Sequence, residues 1–166
     1  MLGKSLLYLV TGVTLVFIMG GCYGFDKKRL SQESIFVVWK SPVMKYADQG
    51  FLYRDGDGLR LEIYANGQAV MRLTIKGDRI CKGALCMDKK SFNMRYLSPN
   101  YPDRLLENIL EGREIFDSRG VRREKGVLVQ KIAKKGAYDI EYSSGADGTV
   151  FVDPLNHISI KIKKNG

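Results

Sequence analysis

Histidine is almost missing from this chain, cysteine is scarce, and no segment repeats. With one histidine and three cysteines in 166 residues, a zinc site lacks its donors, because such sites need three or four nitrogen or sulfur ligands. His157 stands alone beside a turn and reads as a surface or cap residue. Calcium is excluded on similar grounds: Asp55 and Asp57 flank a glycine, but the remaining positions of an EF-hand loop are not there. No nucleophile, base and oxyanion donor can be named together, so no enzyme reading arises and no cofactor is expected. Acidic residues are outnumbered, 18 against 27 Lys and Arg, for a net charge of +9. Such a balance favours phosphate-bearing partners, nucleic acid or lipid head groups. A solvated basic surface is the plainer explanation.

The chain has one long apolar run, at its beginning. Lys4 precedes Leu6-Leu7-Tyr8-Leu9-Val10, the run continues through Val16-Phe17-Ile18-Met19, and Gly20-Gly21 lead into Cys22. A positive start, a short apolar stretch and small residues at a cut site make a secretory signal. Met19-Gly20-Gly21-Cys22 resembles the lipobox of bacterial lipoproteins, with Met in place of the usual Leu. That resemblance implies removal of residues 1–21 and acylation of Cys22, an anchor to membrane lipid rather than a nucleophile. An uncleaved span is the competing reading, since the run approaches the roughly 17 residues of the shortest membrane helices. An exported, lipid-anchored chain meets anionic envelope components rather than nucleic acid. Residues 22–34, polar and carrying Lys27-Lys28-Arg29, read as a tether, and residues 35–166 as one domain.

Cys81 and Cys86 remain once Cys22 is assigned. An even pair in an oxidising compartment predicts a disulfide, here across the neck of a hairpin. The loop is short, so the bond pins local structure more than it stabilises the whole.

Beyond the tether, strands dominate. Ile35 to Trp39 is β-branched and aromatic, and Gly50 to Arg54 is a second candidate. After the turn Asp55-Gly56-Asp57-Gly58, Leu59, Leu61 and Ile63 alternate with Arg60, Glu62 and Tyr64. Asn66-Gly67 is a strong hairpin signal, and the returning strand places Ala69, Met71, Leu73 and Ile75 on one face. Met87 to Leu97 is mixed, with Phe92, Met94 and Tyr96 alternating. One helix is expected: Pro102 and Asp103 open it, Leu105, Leu106, Ile109 and Leu110 form its stripe, and Gly112 stops it. Residues 113–126 are polar, a loop or a short second helix. Four more strands follow, at Val127 to Ile132, Tyr138 to Tyr142, Thr149 to Val152 and Ile158 to Ile162. The expected fold is mainly β, a curved antiparallel sheet forming an unclosed half-barrel, with one main helix on its concave face. Such a face suits a lipid-like ligand.

This order of elements resembles the LolA/LolB superfamily, specifically the LolB-like outer-membrane lipoproteins. The resemblance is carried by Cys22, by Gly50-Phe51-Leu52-Tyr53 with Leu59-Arg60-Leu61-Glu62-Ile63-Tyr64, and by the Asn66-Gly67 hairpin. The stretch Leu105-Leu106-Glu107-Asn108-Ile109-Leu110-Glu111-Gly112 and the closing strands complete it. It covers most of residues 35–164 by pattern and order. It implies a barrel with a helical lid around an apolar cavity that receives lipoprotein acyl chains from a periplasmic carrier and delivers them to the outer membrane, with no bond made or broken. The implied cavity lining is Trp39, Phe51, Leu61, Ile63, Met71, Leu73, Leu106 and Leu110. Two features depart from the family: Ala65-Asn66-Gly67-Gln68 is small and polar where the family carries a bulky apolar membrane-inserting loop, and the amino-terminal helical part is short or missing. The second reading is therefore a structural or accessory envelope lipoprotein that binds a protein partner through the same fold.

Overall fold

The computed structural model describes residues 31–56 and 58–165. The signal, Cys22 and Asp57 lie outside the described residues. The first six strands are β1 (Ser31–Lys40), β2 (Lys45–Asp55), β3 (Gly58–Ala65), β4 (Gln68–Lys76), β5 (Arg79–Lys82) and β6 (Leu85–Asp88). Helices α1 (Lys89–Tyr96) and α2 (Leu105–Glu111) and a 3-10 turn (Phe116–Ser118) follow. The chain ends in β7 (Val121–Glu124), β8 (Val127–Lys134), β9 (Tyr138–Gly145), β10 (Gly148–Asp153) and β11 (Ile158–Lys164).

The eleven strands among the described residues form one curved, unclosed antiparallel sheet in the order β6-β5-β4-β3-β2-β1-β11-β10-β9-β8-β7. The described residues thus start mid-sheet at β1, wind out to the β6 edge, cross through both helices to the β7 edge, and wind back until β11 pairs with β1. The fold is mainly β, as the alternating pattern predicts.

Alternation decides which face is buried. Ile35, Val37 and Trp39 of β1, Leu59, Leu61 and Ile63 of β3, and Met71, Leu73 and Ile75 of β4 are buried and share one core with Phe151, Ile160 and Ile162. The apolar stripe Leu105, Leu106, Ile109 and Leu110 and the ring of Phe92 belong to the same core. Gly50 lets β2 and β3 approach closely: a Cβ there would collide with the backbone carbonyl oxygen of Glu62 on β3. Only glycine permits that approach.

Three expectations change. The helical region holds two helices rather than one main helix, because residues 89–96 fold as α1. Asp88 caps it, its Oδ1 accepting from the Ser91 N–H at 2.7 Å. The buried stripe of α1 is Lys89, Phe92 and Asn93, two polar members that hide the helical period in the sequence. The polar stretch 113–126 contains the 3-10 turn and β7, which closes a hairpin onto β8 through Lys125 and Gly126 at positive φ. Finally, β1 starts at Ser31, four residues inside the expected tether, where Ser31 to Ser34 pair with Arg54 to Phe51 of β2.

The expected disulfide is present. Cys81 and Cys86 are directly opposed across β5 and β6 and bonded, their Cα atoms 3.9 Å apart. It staples the hairpin at an open edge of the sheet.

Candidate functional site

The candidate site is the apolar core that holds side chains of the strands together with those of both helices. Seven of the eight expected lining residues, Trp39, Leu61, Ile63, Met71, Leu73, Leu106 and Leu110, are buried there. Trp39, Leu61, Ile63 and Leu106 have no accessible surface at all, so they border no space large enough for a water molecule. In this state they are packed core, not the walls of an open cavity. Phe51 is a correction. Its neighbour Leu52 takes the inward position, so the pleat turns Phe51 to the outer face. There it packs edge-on against Tyr64 at 5.8 Å and beside Tyr53 at 6.2 Å. Glu62 lies among these rings, only 4 % exposed. It accepts from Arg72 Nε and Tyr64 Oη at 2.7 Å each. Burial opposes its ionisation, but these bonds prevail and hold its pKa below the ordinary value.

Polar contacts tie the helical segment together and to the strands. Lys89 of α1, buried, donates to Glu107 of α2 at 2.6 Å. Burial disfavours the Glu107 carboxylate, yet Lys89, with Arg104 and Arg113 further off, outweighs it and lowers the pKa. Asn93 Nδ2 donates to the Pro102 carbonyl at 3.0 Å, fixing the link between the helices. Gln130 on β8 performs the same task further along: its Oε1 accepts from Ile115 N–H at 2.8 Å, and its Nε2 donates to the Ile115 and Arg119 carbonyls. Tyr101 Oη donates to Asp153 at 2.5 Å, tying the inter-helix segment to the β10–β11 loop. Burial, then the facing carboxylate, raises the Tyr101 pKa far beyond its ordinary value. The buried Tyr142 hydroxyl donates to the Arg113 carbonyl just past α2. Lys89, Asn93, Gln130 and Asp153 were not among the sequence candidates, because a polar residue inside a pattern looks like a surface residue until its partner is placed.

Two clefts flank the interior. One, of about 260 Å³, opens at the rim where β1 begins and is lined mainly by charged and polar residues, with the buried Leu52, Leu110, Leu128 and Ile162 at its base. In that lining Glu33 accepts from Arg54 at 2.9 Å and pairs with Lys164 at 3.2 Å. Burial again disfavours its charge, and the two cations overcome it to lower the pKa. The second cleft, of about 510 Å³, lies between the β4–β5 turn and the helices and is lined by charges of both signs, including Lys89, Lys90, Arg104 and Glu107.

Within the interior, the Trp39 indole N–H is buried without a hydrogen-bond partner. Among the described residues no group of three or more His, Cys, Asp or Glu is placed to hold a metal ion. Nor is any helix among them long and apolar enough to cross a membrane. Against known proteins, no family model matches the chain, and no curated protein matches it.

Proposed function

We propose that this chain is a LolB-like, lipid-anchored lipoprotein of the bacterial outer membrane, facing the periplasm, whose apolar interior receives acyl chains and assists lipoprotein insertion. The observation that carries the reading is the cover. Residues 89–118 cross from one open edge of the sheet to the other, and their apolar side chains fill the space beneath. In this reading α1 and α2 pack on the concave face and yield it to a ligand. Displaced helix residues leave an apolar surface that an acyl chain replaces, at roughly 25 cal/mol per Å² removed from water. The 260 Å³ cleft, with its charged and polar lining and buried apolar residues at its base, is the natural mouth. The unpaired Trp39 N–H is a donor that an ester or amide carbonyl would satisfy. Chemistry at a bond is not required, and the partners are lipoprotein acyl chains and a periplasmic carrier.

Native mass spectrometry and Trp39 fluorescence test this together, on the chain beginning at Tyr23 and challenged with a triacylated lipopeptide. The expected result is a one-to-one complex with a change in the emission of the one tryptophan. A ligand-free mass and an unchanged spectrum would rule the acyl-chain site out.

The second reading keeps the fold and the anchor but gives them a protein partner in an envelope assembly. What favours it is the absence of accessible surface on the core side chains, together with the small polar tip Asn66-Gly67. One stoichiometric partner co-purifying with a chain that ignores lipopeptide would support it.

A further inference from the structure

Three of the exposed large hydrophobic side chains, Val43, Val70 and Leu155, lie at one rim of the domain, while Leu85, Met94, Val127 and Val150 are exposed elsewhere. β1 runs from Ser31 to Lys40, so the sheet has a near rim, where the tether enters, and a far rim carrying the β1–β2, β3–β4, β8–β9 and β10–β11 connections. At the far rim Val43 is 60 % exposed at the tip of the β1–β2 loop and Leu155 is 50 % exposed at the tip of the β10–β11 loop. Val70, 47 % exposed, stands beside the β3–β4 turn. The first two tips are neighbours, because β1 pairs with β11.

Neither tip owes its exposure to a loose loop. Ser41 and Met44 are buried and close the first loop on each other: Ser41 N–H donates to the Met44 carbonyl at 2.8 Å, and Met44 N–H to Ser41 Oγ at 3.1 Å. Val43 is thereby turned outward. In the second loop the fully buried Asp153 accepts from Tyr101, from Asn156 and from the Asp139 N–H. Asn156 also reaches the Ala137 carbonyl of the β8–β9 turn at 2.8 Å. Leu155 projects from a fixed frame.

The charge around the tips is mainly positive. Lys40 and Lys45 bracket Val43, and Lys134 and Lys135 sit at the turn joined to the Leu155 loop, all four exposed. Asp139 is the exposed carboxylate on the strand leaving that turn. The near rim mixes signs, with Asp55, Asp78, Asp147 and Glu124 among its lysines. Separate aliphatic tips, each beside lysines with long apolar stems, match the interface of a bilayer better than a continuous protein surface.

We infer that the far rim is a second membrane contact, which seats Val43 and Leu155 in a bilayer surface bearing anionic lipid while the four lysines meet the head groups. The inference rests on the chain residing at a membrane, as proposed above, but not on the interior accepting acyl chains. The nine residue-to-residue steps of β1 separate its two ends by about 30 Å. The nine residues from Cys22 to Leu30 reach about 30 Å when extended. A domain on such a tether can lay its far rim on the membrane that holds it.

Photo-crosslinking of the full chain in vesicles tests this. A benzophenone amino acid is placed at Val43, at Leu155, or at Ala146 on the near rim, and lipid adducts are read by mass. Expected are adducts at Val43 and Leu155 with phosphatidylglycerol-containing vesicles, and few at Ala146. Substituting Lys40, Lys45, Lys134 and Lys135 with Gln should reduce adduct yield about tenfold or more, since each basic residue near an anionic surface contributes about fivefold in affinity. Adducts no more frequent at Val43 and Leu155 than at Ala146 would overturn the contact. Equal yields on phosphatidylcholine alone would overturn the anionic partner. Trp39 and lipopeptide binding report on the interior separately, so either proposal can fail without the other.

Discussion

Lys89 and Glu107 meet at 2.6 Å, the one side-chain ion pair described between α1 and α2. Lys89 is the more enclosed partner, its side chain 9 % exposed against 17 % for Glu107. Removing one member of a buried pair strands the other charge. Glu107→Gln leaves Lys89 without its carboxylate, whereas Lys89→Met leaves Glu107 near Arg104 at 3.5 Å and Arg113 at 3.8 Å and keeps an apolar stem. Glu107→Gln should therefore cost about 2 kcal/mol and Lys89→Met about half of that, between the ranges for exposed and buried pairs. Urea unfolding of the two variants checks both the size and the order. In the proposed function Lys89→Met also loosens the cover and should speed lipopeptide uptake, which stopped-flow Trp39 emission reads.

Acid should unfold this domain through the same class of contact. Glu33, Glu62 and Glu107 all have pKa values below the ordinary 4.5, each against its own desolvation, because hydrogen-bonded cations, or Tyr64 and Arg72 for Glu62, favour the charged form. The folded chain then binds fewer protons than the unfolded chain in this range. Their stabilisation is complete above 4.5 and fades as pH falls through the lowered folded values. Denaturant midpoints should stay level from neutral pH to about 5 and fall below the ordinary carboxylate range. Arg54→Met should flatten that fall, because it removes the Nη1 that Glu33 accepts from at 2.9 Å. A midpoint that holds steady well below 4 would count against these assignments.

What the sequence made legible follows from how each element is specified. The strand pairs around Asn66-Gly67 were readable because alternation and turn chemistry are local, and Gly112 adopts φ 68 as the αL cap that the helix stripe called for. α1 was not readable, because Lys89 and Asn93 occupy its buried face for the sake of Glu107 and the Pro102 carbonyl, residues far along the chain. β7 was hidden for a related reason. A four-residue edge strand reading Val-Arg-Arg-Glu has one partly buried member, and its pairing with β8 depends on the turn at Lys125-Gly126. The interior residues were identifiable as apolar and inward, but whether such residues pack together or line a space is decided by what the helices bring to them.

The Cys81–Cys86 bond should matter locally. It closes a loop with a sequence separation of 5, for which the chain-entropy relation gives about 2 kcal/mol before any offset from native-state strain. Cys81→Ala together with Cys86→Ala should lower the melting temperature by a few degrees and leave the remainder of the sheet cooperative. Hydrogen exchange should locate the change in β5, β6 and the start of α1, whose Lys89 N–H donates to the Asp78 carbonyl at 3.0 Å. Protection lost equally across β8 to β11 would mean the hairpin is integral to the whole fold.

Phe51 and Leu61 separate the two faces of the sheet in a single experiment. Leu61 is fully buried opposite Leu52 and Leu73, so Leu61→Ala opens a cavity in packed core and should cost about 2–5 kcal/mol. Phe51 lies on the outer face, half-buried against Tyr53 and Tyr64, and Phe51→Ala should cost no more than about 1–2 kcal/mol, the aromatic contacts and part of the ring area. Their effects on ligand should diverge as well. Leu61→Ala changes the surface an acyl chain would touch and should alter lipopeptide affinity. Phe51→Ala faces away from the interior and should leave that affinity within about twofold, a small fraction of the tenfold that 1.4 kcal/mol represents. Calorimetry with the lipopeptide and urea melts of both variants measure the four quantities. If Phe51→Ala abolishes binding while Leu61→Ala spares it, acyl chains are taken up on the outer face, where Phe51, Tyr53 and Tyr64 cluster, and not beneath the helices.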